Sequence, residues 1–296
     1  MPGNPLVAFI DPNFTAEQQD LLMKEFGLDK PMWLQYLIYM KNLATGSLGT
    51  SFFYKKPVLE VLGAVLPNTL LLTGFSLAAA YVVGLIGGVA LAWLRGTWLD
   101  TLGSTVVLMT RSAPMFWVGM VVLTIFSFRL GWFPASGVSS PGAVYASQWA
   151  KLVSGDFWRH IALPGLTLAI YLQGLPLLLM RTNMLDVMGD EHVIMSRMKG
   201  FSEIRIMLKH VARNALLPVL TALALGVGYA AGGNVVIETV FSWPGIGSLL
   251  VKSVAAKDYP LAQGAFFLIA LVMVLMNLIA DLLYSVLDPR IGTGRR

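Results

Sequence analysis

Cysteine is absent from this 296-residue chain, which excludes disulfides and thiolate metal sites. Histidine is scarce: His160, His192 and His210 stand apart, at no metal-ligand spacing, so no resident metal or other cofactor is expected. Charge is scarce as well. Only 12% of the residues are Asp, Glu, Lys or Arg, against about 25% in an ordinary soluble domain. There is no GxxxxGK[ST] phosphate loop and no GxSxG nucleophile turn. No convergent acid–base set takes their place, so transport or scaffolding is expected rather than catalysis.

What is present is apolar surface, 56% of the residues, gathered into charge-free runs. Five such runs span 66–93, 112–128, 161–180, 215–237 and 261–280. The second is short and extends back toward Asp100. A helix rises about 1.5 Å per residue, so roughly 20 apolar residues cross a hydrocarbon core. A barrel needs many short alternating segments instead. The expectation is an all-α polytopic transmembrane bundle of about five spans. Gly and Pro recur inside the runs, at Pro67, Gly84, Gly87, Gly88, Pro114, Pro164, Pro176, Gly226, Gly228, Gly232 and Gly233. Small residues let membrane helices approach closely, and neighbouring groups satisfy carbonyls freed at proline kinks.

Orientation follows from Lys and Arg, which favour the cytoplasmic side. Arg181, Arg197, Lys199, Arg205, Lys209 and Arg213 share one face with Arg95, Arg290, Arg295 and Arg296. The other face holds Lys24, Lys30, Lys41, Lys55, Lys56, Arg129, Lys151, Arg159, Lys252 and Lys257, an equal number. The first set is far denser, because its segments are shorter, so the loop at 181–214 is placed in the cytoplasm. The net charge of +5 is thereby explained by topology, and nucleic acid is not an expected partner.

Residues 1–65 are read as an extracytoplasmic amphipathic segment, with the membrane domain at 66–296. Thr15 and Gln18 suit a capping box that opens a short helix through Leu21, Leu22 and Phe26, with Gly27 as its stop. Pro31 suits the first turn of a second helix that Gly46 ends. Both are expected to lie on the membrane surface, in contact with lipid. The segment 129–160, rich in Gly, Ser and Pro, is read as an external loop. Nothing visible would deliver residues 1–60 across a membrane, so a further span is expected to be missing ahead of Met1.

The loop at 181–214 mixes apolar residues at helical spacing (Val193, Met195, Met198) with charges (Asp190, Glu191, Arg197, Lys199). Gly200 breaks it, and a second helix follows through Ile204, Ile206, Leu208 and Val211. Such an element either docks in a partner's groove through a methionine-rich face or lies on lipid.

Several blocks, in order along the chain, resemble the permeases of binding-protein-dependent ATP-binding-cassette importers, specifically the dipeptide/oligopeptide/nickel family. They are GLDKPMWLQYLIYMKNLATGSLGTSF, LPNTLLLT, RLGWFPASG, the 181–214 loop, NALLPV, VVIETVFSWPGIG, KDYPLAQG and NLIADLLYSVLDPRI. The resemblance implies a bacterial inner-membrane protein that moves short peptides. Nickel chelates, glutathione, opines and oligosaccharides are the family's other cargoes. It also implies a second homologous permease, two cytosolic ATPase subunits and an extracytoplasmic substrate-binding protein as partners. ATP hydrolysis would lie in those subunits. The family's six spans match the inference of a missing first one.

Carried onto this chain, the family's coupling loop covers Glu191, His192, Met195, Ser196, Arg197, Lys199 and Gly200. Ser196 stands where the family usually has Ala, and Ile194 and Met195 replace a Glu-Ala pair. Arg111, at the inner part of the third span, is a candidate for a substrate carboxylate or an acid on the second permease; the bland alternative is that it snorkels to the interface. Glu238, Trp243, Pro244, Gly245 and Gly247 suit a re-entrant external turn with Trp243 at the interface, either a gate or a structural turn. Asp281 reads as structural. A self-sufficient channel or ion-coupled transporter would place acidic residues at mid-span, and the five apolar cores contain none.

Overall fold

The computed structural model describes residues 29–231 and 234–287. The expected Thr15–Gln18 helix and its Gly27 stop, the glycines at 232 and 233, the Asp281 side chain and the C-terminal arginines lie outside the described residues. Among those described, all regular elements are helical; Thr50 and Pro57 make one isolated bridge.

The first described helix, α1 (Met32–Ala44), starts behind Pro31 and stops at Thr45 and a left-handed Gly46, as the proline and glycine predict. α2 (Val58–Trp93) is the mast of the bundle. It begins ahead of residue 66, because Glu60, which interrupts the charge-free run, stays at the surface and pairs with Lys56 at 2.9 Å. Thr97 then caps α3 (Trp98–Ser112) by accepting from the Asp100 amide at 3.4 Å.

The expected single span over 112–128 is corrected by the structure. α3 ends at Ser112 and α4 (Met115–Val122) starts after Ala113 and Pro114, continuing π-helically over Leu123–Arg129. The two halves are bent by 102°. Pro114 brings no amide hydrogen and drives Ala113 into extended backbone, so the helical ladder cannot cross that point.

α5 (Gln148–Val153) precedes α6 (Gly155–Leu172), which meets α7 (Gly174–Val187) at a 41° bend around Gln173. After α8 (Glu191–Met198), a short α9 (Glu203–Arg205) runs through a π-helical stretch (Ile206–Val211) into α10 (Ala212–Ala231). The expected run to residue 237 ends early. α11 (Val235–Val240) is a separate helix, followed by α12 (Ile246–Ala255) and α13 (Tyr259–Leu287). Among the described residues, three helical stretches are long and apolar enough to cross a membrane, and each bent pair adds one if it is a single span, giving up to five.

α6 and α7 pack along α2. A β-carbon at Gly88 would meet Met180 Cβ at 2.6 Å and the Leu177 carbonyl at 2.7 Å, so glycine is what lets the axes approach. Apolar clusters close the two ends. Ala92, Met184, Met188, Val193, Ile206 and Val211 pack at the C-terminal end of α2. Val58, Leu62, Ile246, Leu249 and Leu261 pack at its N-terminal end.

Candidate functional site

α8 is held on the bundle by one face and shows the other to solvent. Val193 and Ser196 are buried, with Val193 in the cluster around Ala92 and Ile206. Ile194, Met195 (59% exposed) and Met198 (82% exposed) share the opposite face. This corrects the expectation that Val193 joins Met195 and Met198 on one docking face. At 100° per residue, position 193 falls across the helix from 194, 195 and 198.

Three contacts fix this helix. Asn214, from the NALLPV block, donates to His192 Nε2 at 3.0 Å. With Nε2 accepting, the ring proton sits on Nδ1, which faces Asp190 at 3.7 Å. Arg197 donates to both carboxylate oxygens of Glu203 at 3.0 and 3.3 Å, an exposed pair worth about 0–1 kcal/mol that sets geometry more than stability. Ser196 donates back to the His192 carbonyl at 2.8 Å, so its hydroxyl is buried without an orphaned donor. Lys199 is the C-cap, and Gly200 follows at φ +75° with its amide on the Arg197 carbonyl at 2.9 Å. A left-handed residue is how many helices end, and any β-carbon there costs about 1 kcal/mol. Beyond it Arg205 lies over the Phe201 ring at 4.6 Å, and Phe201 stacks on His210. Ile204 and Leu208 extend the exposed apolar surface.

One ion pair ties this end to α3. Arg181 Nε donates to Asp100 Oδ1 at 2.6 Å and Arg181 Nη2 to Oδ2 at 2.8 Å, while the Gly96 amide donates to Oδ2 at 3.3 Å. Asp100 is buried. Neither residue stands out in sequence beyond marking the edge of an apolar run, and the pair was missed for that reason.

Arg111 occupies the last turn of α3, beside the break at Ala113 and Pro114. Its aliphatic stem lies across Gly174 at the α6–α7 bend, where a β-carbon would meet Arg111 Cδ at 2.5 Å. It is exposed and makes no ion pair among the described residues. Its Cα lies about 20 Å along the helix axis from Trp98, at the break of the bent pair.

At the other end of α2, the LPNT and VVIETVFSWPGIG blocks interlock. Glu238 is fully buried; Thr69 Oγ1 donates to its Oε1 at 2.8 Å and the Ser248 amide to its Oε2 at 2.9 Å. Thr69 Oγ1 in turn accepts from the Ile246 amide at 2.8 Å. Trp243 Nε1 donates to the Asn68 carbonyl at 3.0 Å, and Asn68 Nδ2 donates to the Pro244 carbonyl at 2.9 Å. A β-carbon on Gly245 would sit 2.3 Å from the Glu238 carboxylate. Trp243 is therefore not at a lipid interface as expected: it is fully buried against Phe157 in the core. Asp258, from KDYPLAQG, does the same for the first block, accepting from the Ser51 hydroxyl and from the Phe53 amide at 3.0 Å. Replacing Glu238 with alanine orphans the Thr69 hydroxyl and the Ser248 amide. A loss of about 2–4 kcal/mol is expected, read as a lower unfolding temperature in detergent, with glutamine costing less.

The structure is a bent helical bundle, closed at one end by an interlocked turn and carrying an amphipathic helix at the other. The model for the binding-protein-dependent transport system inner membrane component matches residues 82–293, and the chain belongs to that family. It is 36% identical to a dipeptide transport system permease protein of Alkalihalophilus pseudofirmus, over 98% of this chain and 91% of that one. It is 37% identical to a putative peptide permease protein of Brucella suis biovar 1 (98% and 90%). A glutathione transport system permease protein of Escherichia coli K12 is 34% identical (98% and 90%). Among solved structures, the inward-facing MetNI methionine ABC transporter matches with TM-score 0.60 at 17% identity, covering 78% of this chain and 97% of that one. That likeness concerns the fold.

Proposed function

We propose that this chain is the permease subunit of an ATP-binding-cassette importer that carries short peptides across a bacterial inner membrane. It works by alternating access with a second homologous permease, two cytosolic ATPase subunits and an extracytoplasmic binding protein. The observation that carries this reading is α8: a helix anchored by Val193 and Ser196 and offering Ile194, Met195 and Met198 outward. An apolar face on a rigid mount suits a groove on a moving partner. Relatives named for dipeptide and for glutathione transport support a peptide-like cargo bearing a free carboxylate.

Arg111 is the group offered to that carboxylate. It sits beside the break at Ala113 and Pro114, exposed and free of an acidic partner among the described residues, which leaves its guanidinium open to a substrate carboxylate. Arg111→Ala is expected to raise the KM for free-acid dipeptides severalfold while leaving C-terminally amidated dipeptides little changed, with Arg111→Lys in between. Equal losses for both cargoes would remove the carboxylate role. The wider reading is tested by reconstitution: uptake of labelled dipeptide should require ATP, both ATPases and the binding protein. Uptake by the isolated chain would refute it.

A further inference from the structure

Basic residues also occur in the segments read as lying opposite α8. Three of them, Arg129, Lys151 and Arg159, lie in the segment between the π-helical end of α4 and the first turns of α6. That segment folds down onto α6. Asp156, its one acidic residue, accepts from the Ser140 amide at 2.8 Å, the Ser140 hydroxyl at 2.6 Å and the Tyr145 hydroxyl at 2.7 Å. Trp158 Nε1 donates to the Leu152 carbonyl at 2.9 Å, fastening α5 beside the point where the apolar part of α6 begins. The outer side of α5 is apolar and bare: Trp149 is 77% exposed and Val153 81%. Trp158 is half exposed next to them.

We infer that α5 and the start of α6 form a collar seated in the headgroup layer of the membrane leaflet opposite α8, with anionic phospholipid as its partner. Tryptophan at the apolar edge, a bare aliphatic face and basic side chains whose one local carboxylate is already engaged are the chemistry of an interfacial helix. Lipid phosphate complements the exposed Arg129 and Arg159, while Lys151 turns inward over the Phe157 ring at 5.8 Å. The collar would hold the α5–α6 junction at a fixed depth, so that motion at the α8 end is not dissipated by the bundle sliding through the bilayer.

The chain has no cysteine, so single spin labels can be placed without background. Val153→Cys and, as a water-exposed reference, Ser202→Cys are labelled in the full chain and reconstituted in nanodiscs of phosphatidylcholine with or without phosphatidylglycerol. The ratio of oxygen to nickel-chelate collision rates reports depth. It should be severalfold higher at position 153 than at 202, and should fall toward the reference when phosphatidylglycerol is omitted or when Arg129 and Arg159 are changed to glutamine. Equal ratios at the two positions would overturn the inference. So would shielding of position 153 that appears only on adding the soluble binding protein, since the face would then be a protein dock.

Discussion

Changing Met195 and Met198 together to glutamate is expected to abolish ATP-driven uptake while the chain folds and inserts normally. Both side chains are solvent-exposed, so neither charge is buried in the free subunit. Once docked, each methionine would bury apolar surface worth about 1.5–3 kcal/mol, and every 1.4 kcal/mol is about tenfold in affinity. Losing both, with two carboxylates left to desolvate, should weaken ATPase binding by at least about a hundredfold. The result is read as lost co-purification of the ATPases with an unchanged unfolding temperature. Val193→Ala is the instructive contrast, because Val193 faces the bundle core. It should lower the unfolding temperature and spare docking affinity in the fraction that stays folded.

Asp100→Ala should destabilise the chain by about 2–3 kcal/mol. Removing one partner of a buried pair leaves the other charge uncompensated, a loss of about 3–5 kcal/mol when burial is complete. Arg181 keeps a quarter of its side-chain surface, so part of that loss is screened. For a chain of this size the unfolding temperature should fall by about 3–5 °C. Arg181→Lys should fail to preserve stability, since an ammonium cannot make the two parallel bonds. A double change to Leu at 100 and Met at 181 should recover most of it.

The two predictions differ in how far the sequence reveals them. The methionine face could be anticipated from spacing and a terminating glycine, because helix periodicity and a left-handed cap are local properties. Which side of α8 faces inward was not local. It depends on Ala92 and Ile206 arriving from elsewhere, and Val193 was misassigned accordingly. Pro31 and Gly46 marked α1 correctly for the same local reason. Pro114 was noted yet read as a tolerated kink; only the structure shows a 102° turn there. The interlocks between Thr69 and Glu238 and between Ser51 and Asp258 join blocks separated by 169 and 207 residues. Spacing carries no information about such pairs. The blocks were visible as motifs, but not that they face one another.

The central claim is that α8 receives force from an ATPase. The cysteine-free background allows it to be tested by cross-linking from Met198→Cys in the assembled transporter. A short bifunctional maleimide should join position 198 to an ATPase subunit carrying an accessible cysteine in its docking groove, and uptake should stop in proportion to the cross-linked fraction. Full ATP-driven uptake with position 198 freely labelled by a bulky water-soluble maleimide, and never linked to an ATPase, would contradict it.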